Sequence, residues 1–278
     1  MDERQDTWTI QEKGRFQELK SIKMVVTDLD RTLLQSDKTI SPITVETMKK
    51  LKRNNIRLAI ATARPDRTAC DYLGIIDGDA AILLNGALVI AEGNIIARNH
   101  IPYENARTIL QKLKELYPTA TLSVEMDDRL YADFDLELDC EYYKIDFHDL
   151  PDGAVDKIII GSTDLSEITR INALLPQKMY AECNSGKFIM IMNQSARKHL
   201  GVMKLSEHFN IPLGEILAFG DDHNDIGMLR ECGMGVAMAD ACIEARQAAD
   251  YITDTCDDNG VSNFLENHLF TNTDFIAG

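Results

Sequence analysis

Apolar and polar positions along the chain fall into short apolar runs separated by helical stripes. The first run, Ile22 to Thr27, is apolar and β-branched and stops at Asp28-Leu29-Asp30-Arg31-Thr32-Leu33. Runs of this length and composition read as buried strands. Ser41-Pro42 reads as an N-cap with proline at the first helical position. Ile43, Val45, Met48 and Leu51 mark one side of the helix it opens, which Asn54-Asn55 ends. Arg57–Ala61 is a second buried strand, closed by Thr62-Ala63-Arg64-Pro65, with another helix beginning near Pro65. Ala80–Leu84 is a third, ending at Asn85-Gly86. Strand, helix, strand, helix, strand predicts an α/β fold with a Rossmann-like, doubly wound parallel sheet.

From Ala87 the pattern changes. Leu88-Val89-Ile90 and Asn94-Ile95-Ile96 flank Glu92-Gly93, a hairpin signal. Ile109, Leu110, Leu113 and Leu116 give a helix from Glu104 to Leu116, ended by Pro118. Thr121–Glu125 and Lys157–Gly161 are strand-like and Leu165–Leu175 is helical. Met179–Glu182 and Phe188–Met192 read as paired strands around Asn184-Ser185-Gly186. Asp127–Phe147 is rich in acids and aromatics and takes no assignment. Hairpins mixed with helices predict an α+β module with an antiparallel sheet.

The alternation then returns. Lys198–Phe209 is helical, Glu215–Phe219 a strand, Gly220–Asn224 a loop and Asp225–Glu231 a helix. A strand at Gly235–Met238, a helix at Ala241–Ala249, a strand at Tyr251–Thr253 and a helix at Gly260–His268 follow. The predicted organisation is a core in two parts, 1–86 and 189–278, with an α+β cap domain inserted at 87–188. Residues 1–20 form a polar N-terminal extension, partly helical.

Composition narrows the function classes. A hydrophobic fraction of 45% builds a core and excludes wholesale disorder. No apolar run approaches the roughly 20 residues that span a membrane, and the polar, acidic start is not a secretory signal. A formal charge of −16 repels phosphate backbones, which disfavours nucleic acid as a partner. Any phosphate site must therefore carry its own cation and donors. The six cysteines form no Cys-x-x-Cys pair and read as reduced, packed thiols of a cytoplasmic protein.

Four clusters lie at predicted strand ends or helix starts. Asp28 and Asp30, at i and i+2, point the same way on an extended chain, and two carboxylates so close call for a cation or a proton. Magnesium suits an oxygen-only site; a polar turn is the plainer alternative. Thr62 follows a strand and precedes a helix, where it would hold an anion or serve as an N-cap. Lys198 opens a helix and is either a phosphate contact or a solvated lysine. Gly220-Asp221-Asp222-His223-Asn224-Asp225 is either part of the site or an acidic capping turn. Together, two acids, a hydroxyl, a lysine and an acidic loop at one edge of one sheet make a magnesium-phosphate site.

These residues resemble the haloacid dehalogenase superfamily of phosphatases. The resemblance rests on Asp28-x-Asp30-x-Thr32, Thr62-x-Arg64, Lys198 and Gly220-Asp221-x-x-Asn224-Asp225. Asn85-Gly86-Ala87, Asp225-Ile226-x-Met228-Leu229, Gly235-Val236-Ala237-Met238 and Ala249-Asp250-Tyr251-Ile252-Thr253 are similar to its Cof-like sugar-phosphatase branch. The resemblance implies that Asp28 is the nucleophile and becomes an aspartyl phosphate. It implies that Asp30 is the general acid and then the base, its carbonyl also a metal ligand. Thr62, Ala63, Lys198 and Asn224 are implied around the phosphate; Asp28, Asp30 and Asp221 around Mg2+; Thr32, Arg64 and Asp225 in support. The implied substrate is a small phosphorylated metabolite, a sugar phosphate above others, selected by the cap.

Three positions depart from the family pattern. Arg31 stands where glycine is usual, and either projects to solvent or reaches toward the cap or an anionic substrate. A backbone with φ > 0 is less comfortable there without glycine. Ala63 and His199 also replace glycines. In the cap, Asp127, Asp128, Tyr131, Asp133 and Tyr142-Tyr143 either face sugar hydroxyls or form a solvated acidic face. A phosphomutase or phosphotransferase on the same core, and a retired phosphate-binding module, are the alternative functions. None of these motifs encodes an oligomeric state.

Overall fold

The computed structural model describes residues 21–136, 141–161, 166–184 and 188–270, with Asn184 described by its backbone only. The lead-in at 1–20, the predicted helix start at Leu165 and the Ser185-Gly186 turn lie outside these residues. The first elements follow the predicted order: β1 (Met24–Thr27), α1 (Pro42–Arg53), β2 (Arg57–Ala61), α2 (Asp66–Ile75) and β3 (Ala80–Leu83). Ser41 caps α1 as its sequence suggests, its Oγ accepting from the Thr44 amide at 3.1 Å. Leu84, expected to end β3, instead turns away with φ 51°.

The hairpin β4 (Leu88–Ala91) and β5 (Asn94–Arg98) turns at Glu92 and Gly93, both in the left-handed region. Next come α3 (Tyr103–Leu116), β6 (Thr121–Met126), β7 (Arg129–Ala132), β8 (Tyr143–Lys144) and β9 (Val155–Gly161). Then α4 (Glu167–Leu174), β10 (Met179–Asn184) and β11 (Phe188–Asn193). The last elements are α5 (Lys198–Phe209), β12 (Ile216–Gly220), α6 (Ile226–Glu231), β13 (Met234–Ala237), α7 (Ile243–Ala248), β14 (Tyr251–Ile252) and α8 (Gly260–Phe264). A π-helical turn, Leu265–Leu269, continues α8.

The described residues fall into two compact units. One comprises those within Met1–Ile60, Tyr72–Ala80 and Leu205–Gly278, the other those within Ala61–Asp71 and Ala81–Lys204. In the first unit five parallel strands lie in the order β14-β13-β12-β1-β2. All four residues of β1 are buried, as a strand covered on both faces requires. β1 pairs with β2 on one side and β12 on the other, Met24 standing opposite both Arg57 and Ile216. Connections therefore leave β1 in opposite directions, and the crevice at its carboxyl end is where such sheets hold ligands.

The second unit is built on a six-stranded sheet in the order β10-β11-β9-β6-β7-β8, antiparallel except for β7 beside β8. Leu122, Val124, Ile158, Ile160, Ile189 and Ile191 alternate onto one face and pack with Ile109, Leu110, Leu113 and Ile171 of the helices. β7 and β8 occupy the stretch that took no assignment. Its turn, Asp127-Asp128, has both residues at positive φ (49° and 59°), a conformation aspartate tolerates better than most residues.

Candidate active site

In the first unit, the site begins where β1 stops. The Asp28 amide donates to the Phe219 carbonyl of β12 at 3.0 Å, carrying the parallel ladder one residue past the strand. Asp28 is 5% exposed. The chain then turns tightly. The Leu33 amide donates to the Asp28 carbonyl at 3.3 Å, and the Leu34 amide to the Leu29 carbonyl at 2.8 Å. Asp30 is half-exposed, with Lys38 Nζ 2.8 Å from its Oδ1.

Arg31 sits in that turn at φ 62°, the left-handed conformation for which glycine is the ordinary residue. Its side chain is exposed, as the first of the two expected courses has it. Within its own unit it folds back onto the loop after β13, Nη2 lying 2.9 Å from Asp240 Oδ2 and 3.3 Å from the Asp240 carbonyl. Its Nε is 4.0 Å from Asp221 Oδ2. The hydrogen bond to Asp240, more than the nearby charges, raises its pKa above the usual guanidinium value.

The second acid comes from the loop after β12. Thr32 Oγ1 donates to Asp221 Oδ1 at 3.1 Å. Asp225 Oδ2 accepts from the amides of Asp221 (3.0 Å) and Asp222 (3.1 Å), so a wholly buried carboxylate fixes the loop that carries Asp221. Gly220 makes this possible: a Cβ there would stand 2.5 Å from Asp225 Cβ. Asp222 also forms a capping box with Asp225. The capping turn expected of this loop is present, and Asp225 belongs both to it and to the acidic cluster around Asp221.

Asp28, Asp221 and Asp225 each offer a carboxylate oxygen within 4.8 Å of the others, and all three are buried. Carboxylates at that spacing, away from bulk water, repel strongly unless a cation lies among them. The donors are all oxygen, the set a hard divalent ion prefers.

Thr62, Ala63, Arg64 and Lys198 belong to the second unit. The Thr62 amide donates to the Ile82 carbonyl at 2.8 Å, its Oγ1 accepts from the Arg64 amide at 3.1 Å, and its carbonyl accepts from the Asn85 amide at 2.9 Å. Thr62 thus closes a tight turn ahead of α2 rather than capping that helix, which starts at Asp66. Lys198, the first residue of α5, is 2% exposed and is not the solvated lysine of the plainer reading. Asn224 is half-buried beside Asp225.

Sequence reasoning missed a charged cluster in the same unit. Lys157 Nζ donates to the Ala63 carbonyl at 3.1 Å. Lys157 stands directly opposite Glu125 in the β6–β9 pairing. Arg67 Nη1 lies 2.9 Å from Glu125 Oε2, and the Arg67 amide donates to Asp128 Oδ1 at 3.1 Å. Burial pushes the Lys157 pKa down, and Glu125, Asp156 and Glu182 pull the other way. Asp156, its neighbour at a bulge, is pushed up to about 6, chiefly by burial. The signal available in the sequence was a lysine and an aspartate at the head of an otherwise apolar strand.

Of the cap residues singled out earlier, Tyr131 is buried and stacks on Tyr143, and Asp133 pairs with Lys114 and accepts from the Leu122 amide. Asp127 pairs with Arg98 and Asp128 with Arg67. The three aspartates are engaged in ion pairs of their own unit.

Residues 25–265 match the family model of the haloacid dehalogenase-like hydrolases. The chain is 31% identical over 265 residues to a Haemophilus influenzae protein provisionally named a phosphatase, covering 88% of this chain and 97% of that one. It is 27% identical over 265 residues to the 5-amino-6-(5-phospho-D-ribitylamino)uracil phosphatase YitU of Bacillus subtilis, with the same coverage. The solved structure of the HAD subclass IIB sugar phosphatase BT4131 superposes with a TM-score of 0.80 at 23% identity, covering 88% of this chain and 98% of that one, a likeness of fold. This chain belongs to the haloacid dehalogenase-like hydrolase family and is a phosphatase of that superfamily. Among the described residues no helix is long and apolar enough to cross a membrane.

Proposed function

We propose that the protein is a Mg2+-dependent hydrolase of small phosphorylated metabolites, sugar phosphates among them, working through an aspartyl phosphate on Asp28. The convergence of Asp28, Asp221 and Asp225 carboxylates within 4.8 Å carries this reading. Asp28, the Asp30 carbonyl and Asp221 would hold the ion, which supplies the positive charge that lets a carboxylate approach a dianionic ester. Asp225 and Thr32 orient Asp221. The Asp28 carboxylate attacks phosphorus, and Asp30 protonates the departing alkoxide. Asp30 then takes a proton from the water that cleaves the acyl phosphate, so the enzyme returns to its starting state. Thr62, the turn through Ala63, Lys198 and Asn224 hold the phosphoryl oxygens, with Arg64 in support. The antiparallel module at 87–188 acts as the cap that selects the rest of the substrate. The names of the relatives, a ribitylaminouracil phosphatase and a sugar phosphatase, point to polyhydroxylated phosphate esters. Reduced thiols fit a cytoplasmic enzyme; Cys70, Cys183, Cys232, Cys242 and Cys256 are all free.

The test is a panel of phosphate monoesters assayed for phosphate release by wild type and Asp28→Asn. Turnover of sugar phosphates by wild type, reduced on the order of 10³-fold or more in the variant, is the expected result. Equal rates in the two proteins would remove Asp28 from the reaction. Transfer of the phosphoryl group to a second hydroxyl instead of water would make the enzyme a phosphotransferase.

A further inference from the structure

We infer that Lys157 is a positioning residue for the phosphate-holding turn, acting with the Arg67–Glu125 pair to clasp residues 62–67 onto the central β6–β9 pair of the six-stranded sheet. This rests on the phosphatase reading, because it assigns the turn its role.

Four contacts at three places make the clasp, all within the second unit. Lys157 Nζ donates to the Ala63 carbonyl at 3.1 Å. The Arg67 guanidinium holds Glu125 through Nη1 to Oε2 at 2.9 Å and Nη2 to Oε1 at 3.1 Å, a two-point contact. The Arg67 amide donates to Asp128 Oδ1 at 3.1 Å, in the turn that follows β6. Ala63 and Arg67 bracket the start of α2, so both ends of the turn segment are tied down. Lys157 and Glu125 are 5% and 6% exposed. Desolvated charged groups of this kind need defined partners, which surface lysines do not. Glu125, Asp156, Glu182 and Arg67 all act on the Lys157 ammonium, and the Ala63 carbonyl accepts its hydrogen bond.

The consequence for chemistry is geometric. The backbone of 62–64 is held from inside by Thr62, whose amide, hydroxyl and carbonyl are all bonded. The carbonyl of Ala63 is the next one along, and fixing it sets the plane of the Ala63–Arg64 peptide. The N–H of that peptide is the one bound to Thr62 Oγ1. Lys157 holds that carbonyl in place from the sheet side. A phosphoryl group held by this turn feels the clasp equally before and during reaction, which predicts an effect on binding more than on turnover.

The experiment compares Lys157→Met and Lys157→Arg with wild type on an aryl phosphate, with inorganic phosphate as competitive inhibitor. In Lys157→Met, KM and the phosphate inhibition constant should rise together, about tenfold, while kcat falls by less than about threefold. Lys157→Arg, which keeps a donor for the Ala63 carbonyl, should recover most of both. Where Lys157→Met does not fold, Glu125→Gln reads the same clasp through Arg67 and should raise both constants about threefold. A folded Lys157→Met, or failing it Glu125→Gln, whose KM and inhibition constant match wild type would overturn the inference. So would a loss of thermal stability alone. A wild type that releases no phosphate from any ester would instead sink the phosphatase reading.

Discussion

Thr32 Oγ1 donates to Asp221 Oδ1 at 3.1 Å, joining two loops 189 residues apart in sequence. Both residues are buried, so the bond replaces water that the carboxylate has lost. Thr32→Val keeps the shape and removes the donor. The expected loss is about 1–2 kcal/mol of folding stability from the lost buried hydrogen bond to a carboxylate. A denaturant midpoint measures it. A midpoint equal to wild type would show that Asp221 does not depend on Thr32.

Arg31 occupies φ 62° and pairs with Asp240 at 2.9 Å. The two effects oppose each other: a left-handed backbone is unfavourable for any side chain, and an exposed ion pair contributes little. Arg31→Ala loses the pair and keeps the strain, whereas Arg31→Gly loses both. The glycine variant should therefore be the more stable of the two, by about 1 kcal/mol. Thermal unfolding of both proteins checks it, and an alanine variant as stable as the glycine one would mean the turn is not strained.

Asp156 is 2% exposed, with Arg98 at 3.8 Å, and burial lifts its pKa from the ordinary 3.8 to about 6. A raised carboxyl pKa means the folded state binds the proton more tightly than the unfolded state. Below about pH 4 both states are protonated and Asp156 costs nothing. As pH climbs from about 4 to about 6 the unfolded state ionises first, and folding stability falls. Above pH 6 the full cost remains, about 3 kcal/mol from a shift of this size. Asp156→Asn should accordingly raise stability at pH 7.5 and make no difference near pH 3.5. Unfolding curves at the two pH values suffice, and a gain of the same size at both would remove Asp156 as its source.

Much of the core was legible because its signals are local. β2 and α5 span the residues the pattern predicted, Arg57–Ala61 and Lys198–Phe209, since an apolar run or a helical stripe fixes them without reference to the rest of the chain. Asp28, Asp221 and Asp225 were singled out by their place at strand ends, and the sheet order brings them together. Arg31 was noticed, but its partner Asp240 lies 209 residues away and nothing in either stretch names the other. β7 and β8 were illegible for a different reason: the turn between β6 and β7 is Asp127-Asp128, which lacks the glycine that usually marks a tight hairpin. Lys157 and Asp156 head a strand of isoleucines, and only the facing Glu125 and the neighbouring Arg67 make them a cluster.

A divalent ion among Asp28, the Asp30 carbonyl and Asp221 is what the proposed mechanism needs most, and its removal tests that need directly. Wild type is freed of metal with a chelator, assayed for phosphate release from an aryl phosphate, and assayed again as Mg2+ is returned. Asp221→Asn is carried through the same steps. The expected result is negligible release from the metal-free enzyme, full recovery with Mg2+, and a half-saturating Mg2+ concentration raised on the order of tenfold or more in Asp221→Asn. Undiminished release by the chelated enzyme, or the same Mg2+ dependence in both proteins, would contradict it.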